Sequence, residues 1–131
     1  MNSSDDISEI IKVSKNNLDR IADAFNGLGT IFLKNVSTPE KMYNDQNCRE
    51  TEQLLNEIED ACHKLHYQPF VPKGYEKSNK FLLQAEEEYM AYVELSRKAL
   101  KAKSTDLQLE AEPHSIAAVK LETASLKAIP R

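Results

Sequence analysis

The sequence predicts an all-α protein, an up-down-up-down four-helix bundle with a kinked last helix, and three observations carry that prediction. Apolar and small residues recur at steps of three and four along four separate segments, the period of a helix that buries one face. Only 3 glycines occur in 131 residues, whereas a many-stranded fold needs a turn roughly every 8–12 residues. The connections between the four segments are short, which places consecutive helices antiparallel. The length suits one domain over residues 1–131. A composition 40% hydrophobic and 29% charged excludes wholesale disorder and suits helices with one solvated face.

The first helix is expected over residues 6–34, with Ser3, Ser4 or Asp5 as its cap. Its stripe runs Ile7, Ile11, Ser14, Leu18, Ile21, Phe25, Leu28, Phe32, widened by Ile10 and Ile31. Gly27 and Gly29 lie inside it at a cost of about 1 kcal/mol each against alanine, so they either soften the helix or admit a close neighbour. Thr38, Pro39 and Glu40 then read as a single turn with proline at its first position. Asn44 or Asp45 should cap a second helix over 45–66, whose inner stripe is Cys48, Thr51, Leu55, Ile58, Cys62 and Leu65, flanked by Leu54 and Ala61. Charged residues from Arg49 to Lys64 occupy its other face.

Pro69 and Pro72 end that helix, and Phe70 and Val71 between them are expected to fold back as a lid on one end of the core. The third helix, over 73–103, is the spine of the fold, with a seam of Tyr75, Ser78, Leu82, Ala85, Tyr89, Tyr92, Ser96 and Ala99. Its run Glu86, Glu87, Glu88 reads as a solvated acidic face. A fourth helix over 105–128 follows, with Thr105 and Gln108 in a capping-box pattern. One of its stripes holds Leu107, Ala111, His114, Ala118, Leu121, Ser125 and Ala128; a second, Leu109, Ile116, Val119 and Leu126, faces elsewhere. Pro113 removes a backbone donor inside this helix and is expected to kink or split it.

Chemistry is sparse. His63 and His66, three residues apart, form the nearest approach to a metal pair, but a zinc site needs more ligands than they offer. The paired Glu-x-x-His pattern of di-iron bundles is absent from the sequence. Cys48 and Cys62 fall on one helix, about 21 Å apart at 1.5 Å per residue, beyond the ~7 Å reach of a disulfide. Both read as small core residues. His114 sits on the inner stripe directly after the proline and reads as a hydrogen-bonded boundary histidine. The candidate ligand or partner contacts are therefore His114, Tyr89, Tyr92 and Phe70, the tyrosines because a buried phenol brings a polar edge to any pocket it lines. No catalytic residue, cofactor or metal is predicted.

A formal charge of −4 gives no electrostatic case for nucleic acid. No apolar run reaches the roughly 18–20 residues that cross a bilayer. The start, MNSSDDISEI, is polar and unlike a signal peptide, so the chain reads as cytoplasmic unless an export signal has been removed.

Asn44 and Asp45, Pro72 and Tyr75, Glu88, Tyr89 and Tyr92, then Asp106 and Leu109 are the starts and centres of successive helices. Across roughly Ile7 to Ala128 this layout resembles helical-bundle domains of secreted lipoproteins from Bacillus-type bacteria, although Cys48 stands where an aromatic is expected. The resemblance implies a cell-envelope bundle without known catalysis and carries no functional residue across. The expected role is a non-enzymatic module that binds a protein partner or small ligand. A small cytosolic regulatory or host-interaction protein of phage or mobile-element origin is the alternative, and an enzyme or metal protein using His63, His66 or His114 is a third reading. The second stripe of the last helix leaves room for a homo-oligomer.

Overall fold

The structure, a computed structural model, describes residues 3–66 and 71–130, with side chains from Ile7 onward. Four helices follow in order, α1 (Ser3–Asn35), α2 (Asp45–His66), α3 (Glu76–Ala102) and α4 (Thr105–Lys127), with one short 3-10 turn, Pro39–Lys41, between α1 and α2. No strand occurs among the described residues. The all-α four-helix bundle is as the periodicity predicted.

Each boundary has a local cause. The Asn44 side chain accepts from the Asn47 amide at 2.8 Å and so caps α2. Between α2 and α3, Gly74 takes φ +93°, and the Tyr75 amide donates back to the Pro72 carbonyl at 3.0 Å. This turn, which requires a positive φ at its third residue, moves the start of α3 from the expected position 73 to Glu76. The Glu76 carboxylate then accepts from the Gly74 amide at 2.9 Å. At the α3–α4 junction Lys103 adopts the left-handed conformation, φ 52°, and closes α3 in the manner usually left to glycine. Ser104, not Thr105, caps α4, its hydroxyl accepting from the Leu107 amide at 3.3 Å. The expected Thr105–Gln108 box is not made; Gln108 donates instead to the Tyr92 hydroxyl and to Glu112.

α4 runs unbroken through Pro113 and is not split. The lost donor would have served the carbonyl of Leu109, a residue 62% exposed. That location leaves the freed carbonyl on the water side of the helix, where the penalty is smallest.

The core gathers Ile21 and Ala24 of α1, Leu55, Ile58, Ala61, Cys62 and Leu65 of α2, Ala85, Tyr89, Tyr92 and Val93 of α3, and Ala111 and Ala118 of α4. α3 and α4 pack most closely, then α1 with α2, then α2 with α3. Small residues explain the closeness of the first pair: Ala85, Ala99, Ala111 and Ala118 are all at most 1% exposed. Near the far end of that seam, the Ser78 hydroxyl donates to the Ser125 carbonyl at 2.8 Å and the Ser125 hydroxyl to the Ser78 carbonyl at 2.7 Å. Gly27 has a different reason: an added Cβ would stand 2.9 Å from a Leu54 methyl, so the glycine forms a notch in α1 for that side chain. Gly29 faces open space.

Two arginines tie α2 to its neighbours. Arg20 of α1 reaches Glu57 and Asp60, both at 2.8 Å. Arg97 of α3 reaches Glu52 at 3.1 Å, Glu59 at 2.9 Å and the Asn56 side chain at 2.6 Å. The guanidinium of Arg97 holds the Glu59 carboxyl below the usual range. The charged face of α2 therefore carries two inter-helix clamps.

Three expectations on burial are corrected. Phe32 is 53% exposed, because the buried edge of α1 ends on Ile31 and Asn35, one position round the helix. Cys48 is half-buried, its thiol directed at the Tyr43 carbonyl. Glu86 lies inside the structure at 6% exposure. Three consecutive residues sweep about 200° of a helix, so a helix flanked by α2 and α4 cannot keep all of Glu86, Glu87 and Glu88 in water.

Candidate functional site

The backbone of α1 runs closest to α2 and approaches α3 and α4 much less. A groove of about 340 Å³ opens there instead, between the N-terminal half of α1, the start of α3 and the end of α4. Ile7, Ile11 and Leu18 form one wall, Tyr75 and Leu82 the floor, and Leu126 the opposite wall, with Val71 and Pro72 at one end. Five of its polar members are already engaged. Glu122 accepts the Tyr89 hydroxyl at 2.6 Å, Ser78 and Ser125 hold one another, and Lys15 pairs with Asp19 at 3.4 Å on the rim. What remains presented is mainly hydrocarbon, in a volume within the range of small-molecule sites.

A second cleft, about 420 Å³, lies between the end of α2 and the middle of α3, bordered by Cys62, His63, His66, Leu83, Glu86, Glu87 and Met90. Neither oxygen of Glu86 has a hydrogen-bond partner among the described residues. Burial, with a lesser contribution from the Glu87 charge, pushes its carboxyl up to about 7. Burial, then the Glu86 and Glu59 carboxyls, push the Cys62 thiol up to about 12, so this sulfur stays protonated and is a poor nucleophile. His63 and His66 are exposed at the mouth. No group of three or more potential ligands is arranged to hold a metal among the described residues.

The residues singled out in the sequence divide as follows. His114 Nδ1 lies 2.6 Å from Glu88, with both side chains about one-third exposed, a boundary pair between α4 and α3. Tyr89 is buried at 2%, its hydroxyl bound to Glu122, and burial followed by that bond raises its pKa. Tyr92 is buried at 3%, accepts from Gln108 at 3.3 Å, and packs on Phe25 with ring centroids 4.8 Å apart. Burial raises its pKa too. These three residues hold α3 to α4 and α1 and do not converge on one cavity. Phe70 lies outside the described residues; its neighbour Val71 borders the groove. Only Glu122, the partner of Tyr89, links any of them to the groove.

Two features went unmarked in the sequence. The groove depends on the spacing between helices, which a stripe of apolar residues does not encode. Glu86 had a signal, since it lies one position from the seam residue Ala85, but its acidic neighbours masked it.

No family model, no curated protein and no solved structure matches this chain.

Proposed function

We propose that this chain is a non-enzymatic binding module whose ligand is a small apolar molecule, such as an aliphatic chain, seated in the groove between α1, α3 and α4. One observation carries the reading: the groove is walled mainly by hydrocarbon from three helices, while Ser78, Ser125, Glu122, Lys15 and Asp19 on its lining already have partners. A site of that kind has nothing with which to activate a bond. It offers apolar area, worth about 25 cal/mol per Å² buried, and the opening between α1 and α4 is the way in. The exposed Ile11, 40% accessible on the α1 rim, is positioned to close over the occupant.

The test is a titration with 1-anilinonaphthalene-8-sulfonate, followed by displacement with dodecanoate. Saturable binding that weakens about tenfold in Ile11→Lys, and is unchanged in Ile116→Lys on the outside of α4, is the expected result. A helicity measurement on each variant shows that the fold is retained. Binding that does not saturate, or that Ile11→Lys leaves intact, would overturn the reading.

A further inference from the structure

We infer that α4 pairs with the α4 of a second copy of this chain, antiparallel and two-fold symmetric, through its outer face. Leu109, Ile116, Val119 and Leu126 are exposed at 62%, 57%, 52% and 55%, on the side of α4 away from the buried Ala111, Ala118 and Ser125. Scattered single apolar residues on a surface need no explanation, but a contiguous stripe does. Its four residues occupy a and d positions of a heptad repeat, the pattern of a two-helix seam, with Glu112 and Thr123 at the two remaining seam positions. Thr123 continues it, because its hydroxyl is spent on the Val119 carbonyl at 2.9 Å.

The choice of occupant comes from the order of the residues. The spacings between the four positions are seven, three and seven, the same read in either direction. A two-fold interface requires a patch that complements itself, residue i meeting j while j meets i. Turning one α4 against another about the level of Ala117 and Ala118 sets Leu109 opposite the second copy's Leu126, and Ile116 opposite its Val119. The charges agree. Asp106, Glu110 and Glu112 lie in the first half of α4 and Lys120 and Lys127 in the second, all of them exposed. Antiparallel pairing brings Asp106 beside Lys127 of the other copy on the flank of the seam, whereas parallel pairing sets the acidic starts together and the basic ends together. A helix of 23 residues offers a strip of roughly 34 Å by 10 Å, below the ~800 Å² per partner of a standard interface. The dimer is accordingly a weak, reversible one.

Sedimentation equilibrium across a concentration series should show a mass rising from 14.9 kDa toward twice that value. Ile116→Lys should hold the chain at the monomer mass with its helicity unchanged. Orientation is read by cross-linking in a Cys48→Ser background. A mixture of Leu109→Cys and Leu126→Cys chains should form a disulfide-linked pair under mild oxidation, and neither variant alone should do so. A monomer mass up to millimolar concentration, a dimer insensitive to Ile116→Lys, or cross-linking by either variant alone would each overturn the proposal. Leu126 belongs both to this seam and to the groove wall, but Ile116 does not line the groove and Ile11 is not on α4, so the two lysine variants separate the two readings.

Discussion

Glu86 is the residue that departs furthest from what its neighbours suggest. Its carboxyl is buried without a partner, and burial holds it protonated up to about pH 7, against 4.5 for the free group. A group whose folded pKa lies above its unfolded one supports the fold at low pH and withdraws that support as pH rises between the two values. The bundle should therefore lose stability from about pH 4.5 to 7, by an amount on the order of 3 kcal/mol. Denaturant melts of Glu86→Gln, which has no proton to lose, should be flatter across that window; an unchanged slope would show that Glu86 titrates near its ordinary value. The clamp between Arg97 and Glu59 acts with the opposite sign, since its lowered carboxyl pKa supports the fold above about pH 4.5 and fails on acidification. Both of its side chains are roughly one-third exposed, so its share is the smaller one.

At the level of elements, the α3–α4 pair is held by absence of bulk. Ala118 is completely buried where α4 meets α3, and Ala118→Leu should cost about 1–3 kcal/mol by overpacking. A thermal melt several degrees lower, with helicity unchanged at low temperature, is the expected readout. The seams themselves were legible in the sequence. Ser78, Ala85, Tyr89, Tyr92, Ser96 and Ala99 all lie on the predicted stripe of α3 and are all buried, because a helix that packs on one side imposes its period on side-chain size. The second stripe of α4 was equally legible, and each of its four residues is exposed. What periodicity does not carry is the distance to the next helix. The same apolar spacing in α1 serves Ile21, sealed in the core, and Ile11, on the rim of an open groove. Turn chemistry was readable to within a few residues: Asn44 caps as expected, while the positive φ of Gly74 delays α3 by three positions. His114, Tyr89 and Tyr92, expected as ligand or partner contacts, lie between helices, each bonded to a neighbouring one. Their bonds join helices, and helix pairing is decided by contacts remote in sequence.

Across the whole molecule, the closest packing runs from neighbour to neighbour along the chain, α1 on α2, α2 on α3, α3 on α4, while α1 meets α3 mainly through Phe25 and approaches α4 least closely. Protection should be graded to match. In amide hydrogen exchange followed by mass spectrometry, the centres of α3 and α4 should exchange slowest and the first half of α1 fastest. Equal protection of all four helices would mean that α1 is held as firmly as the rest. The two serines that bind one another's carbonyls add a consequence of their own. Moving α4 along α3 by one helical turn, about 5.4 Å, would break both of these bonds and carry two largely buried hydroxyls away from their acceptors. The pair therefore works as a detent. Small shifts between these helices meet resistance, and the swing of α1 is an easier motion than the sliding of α4.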